Sequence, residues 1–353
     1  MMERKKVGIV GCGQIAKMMH MPYINDNDEL ELYAMCDISL ITLNGCADRY
    51  KIPQERRFLD YNEMFKTVEL DLVVICTMDH FEPSIAASKA GINQLVEKPL
   101  AFNSKQANEM IECAEKNNVW IAVGYMKCYD RNFLYFQDKV KQMQDIKFVR
   151  VHDFGGNMNF TPEVYDLFAG RDIPQELLIE GKEMMNKAFA EVIGSNNSLY
   201  FAYFNLLMTV SHDLSILRST FGEPNNIDYV SLTKDIQMAV FDYGSFKCVI
   251  EGGWLDKRRI WDETMTVYSN DSTVSISFPW PYLRNSASRI SVNEDEDNSS
   301  VNISKDIVAS FDESYRSEWT ELARCLVENK KPEFDARFAA KDIELFEEMI
   351  KRT

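Results

Sequence analysis

The chain has 353 residues and a formal net charge of -16. This length exceeds the size at which one hydrophobic core stops growing, so we expect two domains. Because an acidic surface repels phosphate backbones and anionic lipid, the charge argues against nucleic acid and membrane surfaces as partners.

Cysteine and histidine spacing gives a second exclusion. The eight cysteines form no Cys-x-x-Cys motif and no metal-like pairing with the four histidines. We therefore expect no bound metal, and reduced, packed cysteines of a cytoplasmic protein. The first strand follows Met1 so closely that no signal peptide is expected, and the longest apolar stretch, 199–210, is too short to span a bilayer.

The first predicted element is a strand that ends in a glycine turn. Residues 5–16 read KKVGIVGCGQIA, an apolar run that stops at Gly11-Cys12-Gly13 and continues as a helix. In a dinucleotide-binding unit Gly11 supplies the turn, Gly13 admits a pyrophosphate to backbone N–H groups, and Ala16 packs the helix on the strand. The alternative is a purely structural turn in an α/β protein that binds no nucleotide.

The second strand ends in a carboxylate. Residues 30–36 are strand-like and lead into Asp37, about twenty residues after the glycines, where such a unit needs an acceptor for the ribose hydroxyls. A carboxylate repels a 2′-phosphate and Ile38 offers no arginine to bind one. The sequence therefore favours NAD over NADP.

Strands and helices alternate up to about residue 125. The apolar run 70–76 is typical of a strand buried on both faces. We predict further strands at 94–96 and 119–123, a helix at 83–90 and a helix at 104–116 with Ser104 as its N-cap. This alternation indicates a parallel sheet with helices on both faces.

The pattern changes after residue 125. We predict a strand at 147–154, a helix at 176–193 and a long helix at 199–221 that is capped by Asn197 or Ser198. Six strand-like runs separated by Gly, Asn and Asp then indicate an antiparallel sheet: 228–232, 237–243, 246–252, 264–269, 273–278 and 290–292. The charged stretch 294–300 is predicted to be a hairpin tip, and helices at about 313–328 and 336–351 close the chain.

Four motifs occur in the order and approximate spacing of one family. They are Gly11-Cys12-Gly13-Gln14-Ile15-Ala16, Glu97-Lys98-Pro99-Leu100-Ala101, Gly124-Tyr125, and His212-Asp213-Leu214 on a helix that ends at Gly222-Glu223-Pro224. Over essentially the whole chain they resemble the glucose-fructose oxidoreductase, inositol dehydrogenase and rhizopine-catabolism family (Gfo/Idh/MocA).

The resemblance implies both an architecture and a reaction. The architecture is an α/β protein with an N-terminal Rossmann domain, 1–126, that contains a doubly wound parallel sheet. An α+β domain with an open, largely antiparallel sheet follows at 127–353, for substrate binding and oligomerisation. The reaction is hydride transfer between a tightly held NAD or NADP and a sugar or cyclitol carbon.

Hydride transfer from a secondary alcohol also requires a base that takes the hydroxyl proton. His212 is the candidate, because its ordinary pKa permits proton exchange near neutrality. The alternative is a core histidine bonded to a carbonyl. Lys98, placed between Glu97 and Pro99 at the carboxyl end of a strand, is expected to stabilise alkoxide character, although an exposed lysine without a role is the alternative.

One position departs from the family pattern. Active members usually carry an Asp four residues before the histidine, and here that residue is Met208. Asp213 is a poor replacement because adjacent residues point about 100° apart around a helix. Asn205 and Ser215 share the predicted face of His212, where either would orient the imidazole or bind a substrate hydroxyl. We expect a reshaped substrate pocket lined by Tyr125, Asn205, Met208 and His212.

The resemblance also assigns cofactor contacts. They are expected at Gly11, Gly13, Gln14, Ile15, Asp37, Thr77, Met78, His80, Glu97 and Lys98. His80 either faces the cofactor or caps the next helix. Four aromatic residues either stack on a sugar ring or are ordinary strand residues: Trp254, Trp261, Trp280 and Tyr282.

Two classes of function stay open. The favoured one is an NAD-dependent dehydrogenase acting on a secondary hydroxyl of a sugar, glycoside or inositol, with a redox-assisted glycoside eliminase as a minor variant. The other is a regulatory protein that binds dinucleotide and sugar without turnover, and Met208 in place of the family Asp keeps this alternative open. We also expect a homodimer or homotetramer through the uncovered face of the second sheet, on which Trp254 and Phe278 are predicted to lie.

Overall fold

The computed structural model describes residues 3–165, 167–296 and 300–353. Met1 and part of the predicted hairpin tip, 297–299, lie outside these ranges. The chain forms two compact units, the first made of Met1–Gly124, Asn159–Gly194 and Trp319–Glu344, the second of Tyr125–Met158, Ser195–Glu318 and Leu345–Thr353.

The observed grouping differs from a single division after residue 126, because two later segments return to the first unit. In one of them the Phe189 ring lies edge-on to Phe102, with 5.8 Å between ring centroids. In the other, Trp319 is 1% exposed and packs in the core that contains Val7 and Ile9. Apolar residues of both segments thus pack against residues of the first unit.

The first unit is built on a six-stranded parallel sheet in the order β3-β2-β1-β4-β5-β6. Its strands are β1 (Lys5–Val10), β2 (Leu30–Cys36), β3 (Arg57–Phe58), β4 (Leu72–Ile75), β5 (Asn93–Val96) and β6 (Ile121–Val123). All four residues of β4 are buried, as a strand covered on both faces requires. The order is that of a Rossmann sheet, so the predicted fold of this part is confirmed.

Helices follow most of these strands. After β1 a π-helical segment, Ala16–His20, leads into α1. The first six α-helices of the unit are α1 (Met21–Asn25), α2 (Leu40–Arg49), α3 (Tyr61–Thr67), α4 (Phe81–Lys89), α5 (Ser104–Lys116) and, after α6 (Met126–Tyr129) and α7 (Arg131–Gln142) of the second unit, α8 (Thr161–Val164). The helix α9 (Gln175–Ile193) comes next. The N-cap of α5 is Asn103 and not the predicted Ser104, because the Asn103 side chain accepts the Gln106 N–H at 2.9 Å.

The second unit contains an eight-stranded sheet in the order β14-β13-β12-β11-β7-β10-β9-β8. Its strands are β7 (Phe148–Gly156), β8 (Asn226–Leu232), β9 (Ile236–Asp242), β10 (Lys247–Leu255), β11 (Trp261–Tyr268), β12 (Ser272–Ser277), β13 (Arg289–Asp295) and β14 (Asn302–Ile307). Only the pair β7 and β10 is parallel among these described strands, so the predicted, largely antiparallel sheet is confirmed. The sequence did not predict β14, whose residues are mostly polar and exposed.

One face of this sheet is covered by helices of the same unit. These are α6 (Met126–Tyr129), α7 (Arg131–Gln142), α10 (Tyr200–Asn205) and α11 (Ser211–Phe221), and the shared helices α12 (Ser314–Glu328) and α13 (Ala336–Lys351) close the chain. The predicted helix 199–221 is divided, because a 3-10 turn, Asn197–Leu199, precedes α10 and a π-helical segment, Leu206–Val210, separates α10 from α11.

The opposite face of the sheet is mixed in character. Glu251 accepts hydrogen bonds from Arg150 and from His152 Nδ1, the latter at 3.0 Å. His152 Nε2 lies 3.1 Å from Asp262. The prediction that Phe278 contributes to an apolar face here is wrong: Phe278 is 6% exposed and its ring centroid lies 5.2 Å from the Lys127 Nζ. Its side chain packs inside the second unit and does not contribute to the open face.

Two further observations concern the environment of the chain. Among the described residues, no helix combines the length and the apolar character needed to cross a membrane. All eight cysteines are free thiols, and six of them are buried.

Candidate functional site

The glycine turn lies where the order of the parallel sheet reverses, between the carboxyl ends of β1 and β4. Gly11 has φ +90°, and a Cβ placed on it would lie 2.9 Å from the backbone of Cys76 and Thr77. A Cβ on Gly13 would meet nothing within 4 Å, and this residue is exposed. Gly11 is therefore required by the turn, whereas Gly13 leaves an open approach to the helix N-terminus, as a pyrophosphate needs.

Asp37 is held at the end of β2 by backbone donors. Its Oδ2 accepts the Cys12 N–H at 2.7 Å and its Oδ1 accepts the Ser39 N–H at 2.8 Å. Burial raises the pKa of this carboxyl, and the two backbone hydrogen bonds oppose that shift. Because each carboxylate oxygen has a second acceptor position, ribose hydroxyls can still bind to it. The residues present therefore fit the ribose and pyrophosphate of a dinucleotide.

The remaining cofactor candidates after β1 and β4 differ in exposure. Gln14 is exposed and Ile15 is half-buried at the start of the helix. Thr77 Oγ1 donates to the Asp79 carbonyl at 2.6 Å, and Met78 is 64% exposed.

His80 has a role that the sequence did not predict. Its side chain makes no capping bond to α4. Instead the ring is buried and Nδ1 lies 2.7 Å from the Pro99 carbonyl, so Nδ1 carries the proton and donates. Burial lowers the pKa of this imidazole, despite the bond to Pro99. His80 thus fastens the turn that follows β5, where the Lys98-Pro99 peptide is cis.

Glu97 is a buried ion held by two residues that the sequence analysis missed. The indole Nε1–H of Trp319 donates to His20 Nδ1 at 3.1 Å, so His20 donates from Nε2 to Glu97 Oε1 at 2.7 Å. Burial raises the pKa of Glu97, but the hydrogen bond from His20 and the charge of Lys98 outweigh it and lower the pKa overall. Glu97 Oε2 accepts the Lys98 N–H at 3.1 Å. The Glu97 carboxylate thereby fixes the backbone of Lys98, whose side chain is half-buried.

In the second unit His212 lies beside Tyr125. The two rings are edge to face, with 6.3 Å between centroids, and His212 is 8% exposed. Met208 is half-buried within the π-helical segment. The structure therefore brings Tyr125 and His212 together, and their place in a substrate pocket stays a prediction.

Asn205 and Ser215 make bonds other than those expected. The Asn205 amide donates to the Lys234 carbonyl at 3.1 Å, and Ser215 Oγ donates to the backbone carbonyl of His212 at 2.7 Å. A π-helical turn contains one extra residue, which rotates Asn205 by about 100° away from the face predicted for a regular α-helix. The predicted imidazole-orienting bond from either residue is replaced by these backbone bonds.

A buried group of carboxylates lies in the same unit as His212. Oxygens of Asp153, Asp213 and Glu263 lie within 4.8 Å of one another, a spacing that can hold a metal ion. The buried ammonium of Lys127 forms an ion pair with Glu263, so a cation of the chain is already present. Trp261 also donates to Glu263 Oε2, at 2.9 Å.

Protonation balances the charge of this group. Burial raises the pKa of Asp213 well above its ordinary value, and repulsion from Asp153 and Glu263 adds to that shift. Burial alone lowers the pKa of Lys127, but attraction to Glu263, Asp213 and Asp153 reverses the direction. These shifts favour the neutral acid form of Asp213 and the charged form of Lys127. Local sequence spacing could not show this group, because its residues come from two strands and two helices.

These features define the first unit as a Rossmann-type dinucleotide-binding unit. Residues 5–125 match the Gfo/Idh/MocA family, described as an oxidoreductase family with an NAD-binding Rossmann fold. The resemblance predicted from the motifs is thereby confirmed over these residues.

Relatives and a solved structure extend the comparison. The chain is 34% identical to a D-glucoside 3-dehydrogenase of Escherichia coli over 113 residues, which are 31% of this chain and 32% of that protein. It is 30% identical to a myo-inositol 2-dehydrogenase of Thermotoga maritima over 138 residues, 38% of this chain and 40% of that protein. These matches thus span less than half the length of either relative. A 3-ketoreductase of Actinomadura kijaniata in complex with NADP superposes with a TM-score of 0.72 at 11% identity, covering 98% of this chain and 96% of that one.

Proposed function

We propose that this protein is an NAD-dependent oxidoreductase. It transfers a hydride between nicotinamide and a secondary hydroxyl or keto carbon of a sugar, glycoside or inositol. The observation that carries the proposal is the Asp37 carboxylate bound to the N–H of Cys12 inside the glycine turn, which joins the ribose acceptor to the pyrophosphate approach. The relatives named as glucoside and inositol dehydrogenases support the substrate class.

The proton chemistry is assigned to two side chains of this chain. Bound NAD would supply the hydride acceptor. His212 accepts the proton of the substrate hydroxyl, and its position beside the Tyr125 ring restricts the orientation of the imidazole. Lys98 stabilises negative charge that develops on the substrate oxygen, and the bond from its N–H to Glu97 holds its backbone in place.

A second candidate function is favoured by one residue. Met208 stands where active members of the family usually carry an Asp, and a thioether cannot exchange a proton. A regulatory protein would bind NAD and a sugar without turning the sugar over. An eliminase would release the aglycone of a glycoside without net formation of NADH.

The test is a panel of sugars, glycosides and inositols incubated with the purified protein and NAD. We expect NADH formation with at least one compound, and a product that is two hydrogens lighter by mass spectrometry. Tight NAD binding with no turnover of any compound would contradict the dehydrogenase and favour the regulatory protein. Loss of an aglycone without NADH would identify the eliminase.

We further propose a homodimer or homotetramer located in the cytoplasm. The free cysteines support the reducing compartment. The sheet face that carries Arg150, His152 and Glu251 is the proposed contact surface, since no helix of the second unit covers it among the described residues.

A further inference from the structure

A carboxylate from a distant part of the chain lies at the N-terminus of α2. Asp172 Oδ1 accepts the Ser39 hydroxyl at 2.5 Å, and its Oδ2 accepts the Ile41 N–H at 3.0 Å. The N–H of the same Ser39 is bound to Asp37. The carboxylates of Asp37 and Asp172 therefore share Ser39 as a hydrogen-bonding partner.

The segment that carries Asp172 is fixed to the first unit at several points. The Lys17 ammonium donates to the Phe168 carbonyl and lies 4.3 Å from the centroid of the Phe168 ring. The Gly170 N–H donates to Thr42 Oγ1 at 2.9 Å. A Cβ on Gly45 would lie 2.3 Å from the Phe168 ring, so the segment packs directly on α2. Asp172 is thus placed by a docked segment.

We propose that Asp172 is a second carboxylate that excludes NADP, acting together with Asp37. This inference rests on the proposed dinucleotide function. The hydroxyl that NADP carries as a 2′-phosphate is the one that Asp37 binds in NAD. A phosphate at this place would need hydrogen bonds from the N–H groups at the start of α2, as anions do at helix N-termini. Asp172 already occupies the Ile41 N–H and the Ser39 hydroxyl there, and it adds a negative charge.

The charge of Asp172 persists under ordinary conditions. The hydrogen bonds from Ser39 and Ile41 lower the pKa of its carboxyl, so Asp172 is ionised at neutral pH. Because the side chain is exposed, its repulsion of a 2′-phosphate is screened by salt. The preference for NAD should therefore weaken as the ionic strength rises.

The experiment is calorimetric titration of NAD and of NADP into the full chain and its Asp172→Asn variant. Asparagine keeps the size of the side chain and one acceptor oxygen but removes the charge. We expect NADP to bind about fivefold more tightly to the variant, with NAD affinity changed less than about twofold, which is the size expected for a surface charge at a helix N-terminus. Glu180→Gln is the matched control, since it neutralises an exposed carboxylate of α9 in the same unit and should leave both affinities unchanged.

Three outcomes would overturn the inference. If Asp172→Asn prefers NAD over NADP by the same factor as the wild-type protein, Asp172 does not contribute to this preference, while the proposed function stands. If Asp172→Asn and Asp172→Ala raise both affinities equally, the docked segment obstructs dinucleotides in general and does not select between them. If the wild-type protein binds neither dinucleotide, the proposed function fails and this inference fails with it.

Discussion

At the residue scale, Glu97 has a structural role in its motif, whereas the chemical role is the one proposed for Lys98. Glu97 is buried and receives hydrogen bonds from His20 and from the Lys98 N–H. A Cβ on Gly124 would lie 3.1 Å from its carboxylate, so that glycine is needed to make room. Glu97 therefore positions the motif, and the proposed contact with the substrate oxygen is assigned to Lys98.

His212 and Lys98 give the first prediction at this scale. His212→Ala should reduce turnover by roughly 10²–10⁴-fold, the usual share of general acid-base catalysis, while NAD affinity stays unchanged. Lys98→Ala should also reduce turnover, because the developing alkoxide loses its cation. Steady-state rates on a substrate found in the panel, with NAD titrations of each variant, check both. Met208→Ala is the control and should alter KM more than kcat; retained activity in His212→Ala would shift the role of base to Tyr125, Tyr203 or a water.

The buried ion pair of Lys127 and Glu263 gives the second prediction at this scale, which concerns stability. Lys127→Met leaves the Glu263 carboxylate buried without its cation, which should cost about 3–5 kcal/mol of unfolding free energy. Adding Glu263→Gln should recover most of that loss, and denaturant titration measures both. Lys247→Met is the control, because that exposed ion pair with Asp228 should contribute far less. An additive double variant would show that the pair is not coupled.

The pH dependence of stability follows from Asp213 in the same group. Its pKa in the folded protein is raised above the unfolded value, so its contribution to stability is full below the unfolded pKa and is lost as pH rises through the folded pKa. Asp213→Asn should flatten the fall of unfolding free energy as the pH rises above about 4, the ordinary pKa of aspartate. An unchanged pH profile in this variant would show that Asp213 is ionised in the folded state.

At the scale of single elements, the long helix before Gly222 shows what periodicity can and cannot predict. The C-terminal boundary of this helical region was predictable from Gly222, whereas the N-cap of α10 is Leu199 and not the predicted Asn197 or Ser198. The π-helical turn at Leu206–Val210 was not predictable, because an i to i+5 hydrogen-bond pattern gives no distinct signal in an apolar run of sequence. Assignments that depended on a regular helix, such as the face of Asn205, failed for this reason, whereas His212 lies after the turn and its pairing with Tyr125 was unaffected.

The segment between β7 and α10 shows a second limit. Its helix α9 was predicted from local pattern, but the docking of Phe168 and Asp172 on α2 was not. These contacts join residues more than a hundred positions apart, and a lone Asp in a polar stretch carries no signal of its partner. Residues such as Asp172, which is proposed to select the cofactor, can be identified only once the structure is known.

At the scale of the whole molecule, the fold class was predictable from the order of the elements. Strands that alternate with helices indicate a parallel sheet, and consecutive strands indicate an antiparallel one. The carboxyl ends of β1, β2 and β4, with Gly11 and Asp37, could likewise be placed from sequence, since parallel strands end at one edge of a sheet. The sequence could not predict that residues 159–194 and 319–344 group with the first unit. This grouping depends on buried residues such as Trp319, whose partners lie far away in the sequence.

Self-association through the open face of the second sheet is the prediction at this scale. Val249 and Val240 are half-buried neighbours on that face, beside the charged pair of Arg150 and Glu251. A mixed surface of this kind fits a symmetric contact, in which apolar centres pack and charged groups meet partners around them. We expect light scattering at micromolar concentration to give the mass of a dimer or tetramer, and Val249→Lys to shift it toward the monomer by burying an unpaired charge. Leu134→Lys, at an exposed apolar position on α7, is the control and should keep the wild-type mass; a wild-type chain that is monomeric throughout would refute the assembly.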